Sequence, residues 1–275
     1  MQGKIIKIIS NLYTIQTEKE TIECRARGKF RNYKITPLVG DYCTIDIENK
    51  YILEILPRKN FLDRPTIANV DVALIVTSVK KPNLSLNLLD KMLSIITLNK
   101  IEPILCFSKI DLLSKQEKKE LKKICKYYKE IGYQVVTNQN KNLLKKILKN
   151  KIVVVTGQTG AGKSTLLNKL DKKLNLKTDE ISESLGRGKH TTRHVELFSF
   201  KNFYVADTPG FSSLDFNNNT KEEIRSSFVE FKNYRCSFKD CMHNKEKNCA
   251  VKDAVEKEKI RKSRYENYLD FIKNK

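Results

Sequence analysis

The sequence predicts an α/β protein: a doubly wound sheet domain, preceded by a small β-barrel and followed by a metal-held helical module. Three observations carry that reading. Residues 70–137 alternate apolar runs with helical periodicity in the order β-α-β-α-β. Residues 1–62 break into short strands separated by turn residues. Cys236, Cys241, His243 and Cys249 crowd together late in the chain. Boundaries are expected at 1–62, 63–216 and 217–275.

In the first segment, Lys4–Ile9 and Leu12–Thr17 carry β-branched or alternating residues, with Ser10-Asn11 between them as a turn. Thr21–Arg25, Tyr42–Ile47 and Tyr51–Leu56 follow. About five strands in so short a segment suggest a barrel of the OB type, a fold that often binds nucleic acid. Arg25, Arg27, Lys29, Arg31 and Lys34 interleave with Phe30 and Tyr33. That pattern suits either a basic-aromatic RNA face or a solvated loop.

Val70–Val79 is a continuous apolar run, as a strand buried on both faces requires. Leu88, Leu89, Met92, Leu93, Ile95 and Ile96 share a helical face. Ile101–Phe107 is the next strand and ends in Ser108-Lys109-Ile110-Asp111. Leu121, Ile124, Cys125 and Tyr128 mark a helix, and Tyr133–Thr137 a strand.

A second apolar run then opens into Gly157-Gln158-Thr159-Gly160-Ala161-Gly162-Lys163-Ser164-Thr165 and a helix-like segment. This is a complete G-x-x-x-x-G-K-[ST] loop in its strand–loop–helix context. Glycines let successive N–H groups turn inward on a polyphosphate, and the following helix N-terminus adds partial positive charge. Lys163 can reach the β- and γ-phosphates, and Ser164 can ligate Mg²⁺. A nucleoside triphosphate is the implied ligand. The Ser108–Asp111 tetrad selects among bases. A carboxylate accepts from both N1–H and the exocyclic amine of guanine, whereas adenine presents an acceptor at N1. Asp111 therefore favours GTP over ATP, with Lys109 packing over the base.

Lys177–His194 is polar and glycine-containing, as a mobile loop would be. Thr191 or Thr192 can bind Mg²⁺ when a γ-phosphate is present. Val195–Phe200 and Asn202–Ala206 read as a hairpin leading to Asp207-Thr208-Pro209-Gly210, where Asp207 serves the metal and the Gly210 N–H senses the γ-phosphate. Phe211 stands where a water-positioning Gln is usual, so unaided hydrolysis should be slow. His190 and His194 are candidates for the missing group, although binding phosphate or packing would account for either.

These parts form the toolkit of a Ras-like GTPase in the wrong order, because the base tetrad precedes the phosphate loop. Permutation leaves such a site intact when the loops meet at one sheet edge. At this point the chain resembles a known family, the circularly permuted ribosome small-subunit-dependent GTPase A. The resemblance rests on Leu38-Val-Gly-Asp41, Arg58-Lys-Asn60, the Ser108–Asp111 tetrad, the phosphate loop, Leu185–Phe198 and Asp207–Gly210, and it covers nearly the whole chain. It implies an OB domain, a permuted GTPase domain and a C-terminal zinc module. It also implies late maturation of the small ribosomal subunit, with hydrolysis stimulated by that subunit. Ser108 replaces the more usual Asn, which puts the tightness of the guanine loop in doubt. The family's short motif near the base is only dimly visible around Thr137-Asn138.

The Cys236-x₄-Cys241-x-His243-x₅-Cys249 cluster supplies three thiolates and an imidazole, a closed structural zinc set; three reduced surface thiols are the plainer alternative. This segment is expected to be polar, with little apolar residue for a core, and so to be held by metal. Ile260, Tyr265, Tyr268, Leu269 and Ile272 suit an amphipathic helix. Cys24, Cys43, Cys106 and Cys125 read as buried thiols, and an odd cysteine count argues against a disulfide framework.

The chain has 275 residues and a formal net charge of +21. Residues 1–62 carry 11 basic and 7 acidic side chains, residues 63–216 carry 27 and 15, and residues 217–275 carry 15 and 10. Such an excess points to a polyanionic partner, here rRNA of the small subunit, but its even spread locates no face. No apolar run reaches membrane-spanning length and no cleavable signal pattern is present, so a cytosolic chain is expected. Nothing demands more than a monomer. The expected activity is Mg²⁺-dependent GTP hydrolysis. The rival is a nucleotide-gated RNA-binding module with incidental turnover, and an ATP-dependent enzyme is a third reading that Asp111 disfavours.

Overall fold

The computed structural model describes residues 1–28, 30, 35–63, 66–171, 196–200, 202–206 and 215–275. It divides into two compact units. One comprises residues 1–74, 141–156 and 163–212, the other 75–140, 157–162 and 213–275.

In the first unit, β1 (Gln2–Ile9), β2 (Leu12–Gln16), β3 (Thr21–Ala26), β4 (Tyr42–Asp46) and β5 (Tyr51–Ile55) close into a barrel in the order β1-β2-β3-β5-β4. The five expected strands are all present. Alternation explains the closure: Tyr13 and Ile15, Ile22 and Cys24, and Cys43 and Ile45 point inward and are buried. A short ladder follows, β6 (Phe61–Asp63) antiparallel to β7 (Thr66–Ala68). The two motifs that carried the N-terminal part of the resemblance meet beside it. Buried Asp41 accepts from the Leu38 N–H at 2.7 Å and from Arg58 Nε and Nη2 at 2.7 and 2.8 Å. Asn60 exchanges two hydrogen bonds with the Val70 backbone, each 2.9 Å. Gly40 is obligatory here, since a Cβ would stand 2.0 Å from the Ala68 carbonyl oxygen. These residues build a joint between the barrel and the following chain. Lys7 pairs with Glu196 at 3.0 Å, and Lys4 Nζ lies 4.6 Å from the centre of the Tyr204 ring.

The main sheet has the strand order β10-β9-β8-β11-β13-β12. Its members are β8 (Val72–Ser78), β9 (Glu102–Ser108), β10 (Gln134–Thr137), β11 (Ile152–Thr156), β12 (Leu197–Phe200) and β13 (Phe203–Ala206). β10 runs parallel to β9 and β11 parallel to β13, while β12 returns antiparallel to β13. Every residue of β8 and β11 is buried, which is why both read as unbroken apolar runs.

Helices α1 (Leu86–Leu98) and α2 (Lys115–Glu130) connect strands of the second unit. Ser85 caps α1, and Ser114 with Glu117 forms a capping box on α2. In the first unit, α3 (Lys141–Ile147) precedes β11 and α4 (Lys163–Leu170) follows the phosphate loop.

The C-terminal region contains α5 (Lys221–Ser227), a 3₁₀ turn (Val229–Asn233), α6 (Ala250–Glu256) and α7 (Lys262–Lys273). The expectation of a nearly coreless segment is wrong. Phe216, Ile224, Phe228, Phe231, Tyr268 and Phe271 are buried in one cluster, against which Ile95 and Leu98 of α1 pack. These side chains come from several short elements, so no single periodicity announced them. Cys125 also departs from expectation: it is only half-buried, whereas Cys24, Cys43 and Cys106 are fully buried. Among the described residues no helix is long and apolar enough to cross a membrane.

Candidate GTP site and metal centre

The phosphate loop leaves β11 at Gly157. A Cβ there would lie 2.0 Å from the Val76 carbonyl oxygen, and φ is +136°. Only glycine permits that approach. Gly160 and Gly162 adopt φ of +74° and +90°, so the loop curls before α4 begins at Lys163. Ala161 is fully buried and donates its N–H to the Gln158 carbonyl at 3.1 Å. Burial pulls the Lys163 ammonium below its ordinary pKa, the cost of desolvating a charge. A bound polyphosphate would reverse that cost. Ser164 is buried in the first turn of the same helix, and Thr165 beside it is exposed.

The tetrad leaves β9 at Ser108. Its hydroxyl donates to the Ala161 carbonyl oxygen at 2.6 Å. A side chain of the base tetrad therefore bonds directly to the backbone of the phosphate loop, although 53 residues separate them in reversed motif order. Ser108, standing where Asn is more usual, ties the two loops through its hydroxyl. Lys109 takes a left-handed conformation (φ 58°, ψ 30°), and its ammonium group donates to the Lys81 carbonyl oxygen. Asp111 sits on the 3₁₀ turn Ile110–Leu112, exposed and with no partner among the described residues, available to a ligand.

Sequence reasoning overlooked the segment after β8. Lys81 and Asn83 present carbonyl oxygens to Lys109 and to Gln158 Nε2, the latter at 3.5 Å. That segment thus touches both loops. It carries no motif, because its contribution is backbone. Thr137, in the dim motif near the base, donates through Oγ1 to Asn140 Oδ1 at 2.6 Å, and the Asn138 N–H bonds the Phe107 carbonyl at 3.0 Å. Thr191, Thr192, His190, His194, Asp207, Gly210 and Phe211 lie outside the described residues, as do Lys29, Arg31, Tyr33 and Lys34.

The second centre is the Cys/His cluster. Ligand atoms of Cys236, Cys241, His243 and Cys249 all lie within 4.8 Å of one another. His243 Nδ1 is 3.3 Å from Cys249 Sγ and 3.5 Å from Cys236 Sγ, and Cys236 and Cys249 sulfurs are 3.7 Å apart. A tetrahedral ion with Zn–S bonds of about 2.3 Å requires ligand spacings of roughly that size. The donor set and its geometry fit a structural zinc ion. Burial, with the Arg225 guanidinium nearby, lowers the His243 pKa and favours the neutral, ligating imidazole. The His243 carbonyl accepts from the Tyr265 hydroxyl and the Met242 carbonyl from the Tyr268 hydroxyl, so α7 braces the cluster.

One further polar cluster was not foreseen. Arg264 on α7, 2 % exposed, lies between Asp90 of α1 and Glu230. Nη1 donates to Asp90 Oδ1 at 2.6 Å; Nε and Nη2 address the two oxygens of Glu230. Tyr128 and Asn267 donate to Asp90 at 2.6 and 2.7 Å. This ion cluster fastens the C-terminal helices to α1.

Comparison with known proteins agrees with this geometry. A family model described as RsgA GTPase matches residues 55–217, and one described as RsgA N-terminal domain matches residues 2–52. A small ribosomal subunit biogenesis GTPase RsgA 1 of Listeria monocytogenes is 46% identical over 280 residues, covering 99% of this chain and 96% of the relative. The RsgA 2 protein of Oceanobacillus iheyensis is 47% identical over 281 residues, covering 98% and 96%. The crystal structure of YjeQ from Thermotoga maritima superposes with a TM-score of 0.87 at 34% identity, covering 99% of this chain and 97% of that one. The structure of YloQ, described as a circularly permuted GTPase, gives 0.83 at 38% identity, covering 99% and 94%. With the base tetrad placed ahead of the phosphate loop and both held in one cluster, the chain is a circularly permuted GTP hydrolase and belongs to the RsgA GTPase family.

Proposed function

We propose that the chain hydrolyses GTP during late maturation of the small ribosomal subunit, binds that subunit through its rRNA, and turns over slowly until the subunit stimulates it. The observation that supports this most is the Ser108 Oγ to Ala161 carbonyl hydrogen bond of 2.6 Å, which draws a guanine-selecting loop and a phosphate loop together. Relatives named as small ribosomal subunit biogenesis GTPases cover nearly the whole chain.

In this reading the loop Gly157–Gly162 directs its N–H groups at the phosphates, and Lys163 offsets charge developing on them. Mg²⁺ bound with GTP supplies the remaining neutralisation, held by Ser164, by Thr191 or Thr192, and through Asp207. Asp111 reads the guanine edge and the Gly210 N–H senses the γ-phosphate. With Phe211 after Gly210, no amide side chain orients water there; His194 or a group from the subunit would do so, and an activating partner of this kind is worth roughly 10³–10⁵ in rate. Cys236, Cys241, His243 and Cys249 hold one structural zinc. The barrel and the zinc module, with boundaries near 62 and 216, flank the GTPase domain and contact the subunit. The cytoplasm, where the subunit matures, is the expected site of action.

The test is GTP turnover against rising small-subunit concentration, with large subunits as control. Saturable acceleration by small subunits alone is expected. Binding of the small subunit without acceleration would favour the nucleotide-gated RNA-binding module instead.

A further inference from the structure

Four lysines of α2 lie on one face of the helix. Lys118, Lys122, Lys126 and Lys129 fall on that face, all exposed, and rim a groove of about 620 Å³. Ile110 and Leu121 are among the residues that line it, and Thr137 and Gln139 stand at its β10 end. The acidic residues of the helix are committed. Glu117 pairs with Lys80 at 2.8 Å, Glu120 with Lys123 at 2.9 Å, and Glu130 with Lys126 at 3.6 Å. Lys118, Lys122 and Lys129 have no acidic partner among the described residues. Like charges spaced four residues apart destabilise a helix. The row Lys118–Lys122–Lys126 therefore works against α2 itself, as a surface waiting for an anion does.

We propose that this groove is an RNA-backbone site, through which the chain grips a phosphodiester strand of the small subunit. The inference rests on the functional reading above and names one surface that serves it. The lysines recur every three or four residues along a helix rising about 1.5 Å per residue, so they present a row of charge rather than a point. A strand of phosphates matches a row. The lining includes no aromatic ring, so bases have no platform on which to stack, and recognition is of the backbone. The Gln139 amide, with the Thr137 hydroxyl as an acceptor, offers polar groups of the kind that meet a ribose 2′-hydroxyl. Binding here should accordingly be indifferent to sequence and steep in salt.

The test uses the full chain, a GTP analogue and purified small subunits, with dissociation constants measured from 50 to 200 mM KCl. The variant Lys118→Gln/Lys122→Gln/Lys129→Gln is compared with Lys141→Gln/Lys145→Gln/Lys146→Gln, which removes equal charge from α3. The α2 variant is expected to flatten the slope of log K against log[salt] by about two to three, while the α3 variant changes it little. Unstimulated GTP hydrolysis should be unaltered in both. Equal losses in the two variants, or no loss in the α2 variant, would overturn the proposal. If Cys125→Phe, which fills the groove, weakens binding while the lysine variant keeps its salt slope, the occupant is an apolar protein segment and the RNA assignment is wrong. Failure of the unmodified chain to bind small subunits would sink the functional reading itself, a result distinct from loss confined to the variants.

Discussion

Two junctions in the second unit are built from opposite materials. The base loop meets the phosphate loop through one hydroxyl on one carbonyl, Ser108 to Ala161, with no charge involved. The C-terminal helices meet α1 through a buried guanidinium between two carboxylates, Arg264 with Asp90 and Glu230. The first connection is worth about 1 kcal/mol net. Breaking the second by removing one partner costs about 3–5 kcal/mol, because a buried charge is left uncompensated. Weak, neutral contacts suit loops that must accept and release a nucleotide, whereas a charged lock suits parts that stay together throughout the cycle.

The largest effect should come from the lock. Arg264→Met leaves Asp90 and Glu230 buried without their cation, and denaturant unfolding should show a loss of about 3–5 kcal/mol. The loss should depend on pH in a definite direction. Burial already raises the folded-state pKa of Asp90, with Arg264 opposing it. Removing Arg264 raises it further, so the folded variant binds more protons than the unfolded chain above the ordinary carboxylate pKa. Its stability is then retained at low pH and lost as pH rises through the folded pKa. The variant should be more stable relative to wild type at pH 5.5 than at pH 8. Equal deficits at both would mean that packing, not charge, makes the lock.

Next is the phosphate loop. Gly157→Ala drives a Cβ into the Val76 carbonyl oxygen and demands a strained backbone, a cost of about 1–3 kcal/mol. Nucleotide affinity by titration calorimetry should fall about ten- to a hundredfold. Unchanged affinity would show that the loop's close approach to β8 is dispensable.

Metal removal probes whether the lock or the proposed zinc holds the C-terminal region. The buried cluster that includes Phe228, Phe231 and Tyr268 takes in the candidate ligands Cys241 and Cys249, but its other ten members are not ligands and supply an apolar core beside the metal site. Chelation should therefore lower the melting temperature and expose residues 236–249 to protease while α5 and α7 keep their helical circular dichroism. Complete loss of that signal would make the metal the principal support. The smallest effect belongs to the neutral junction. Ser108→Ala should speed nucleotide dissociation about fivefold, the value of one hydrogen bond of about 1 kcal/mol, whereas Ser108→Thr keeps the hydroxyl and should restore the slow rate.

How legible each junction was in sequence follows the same division. The strands around the candidate GTP site announced themselves, because Val72–Ser78 and Ile152–Thr156 are buried along their whole length and read as apolar runs. The glycine spacing of residues 157–162 and the Cys236–Cys249 cluster were equally plain, since their chemistry needs those residue types. The Ser108–Ala161 bond was not, since its acceptor is backbone and any residue would supply it. Nor was the lock: Arg264 and Asp90 are 174 residues apart, and nothing local distinguishes them from the many other charged residues. The aromatic core stayed hidden for a similar reason, with Phe216 and Phe228 outside any helix or strand and Phe271 on α7. The lysine row on α2 shows its four-residue spacing in the sequence, but the groove it borders appears only in the fold.

The measurement that bears most directly on the permuted site is an experimental structure with a non-hydrolysable GTP analogue and Mg²⁺. The expected result has the Asp111 carboxylate within hydrogen-bond distance of guanine N1 and the exocyclic amine, while Lys163 reaches the phosphates of the same molecule. A base bound away from Asp111, with Lys163 still on the phosphates, would contradict it.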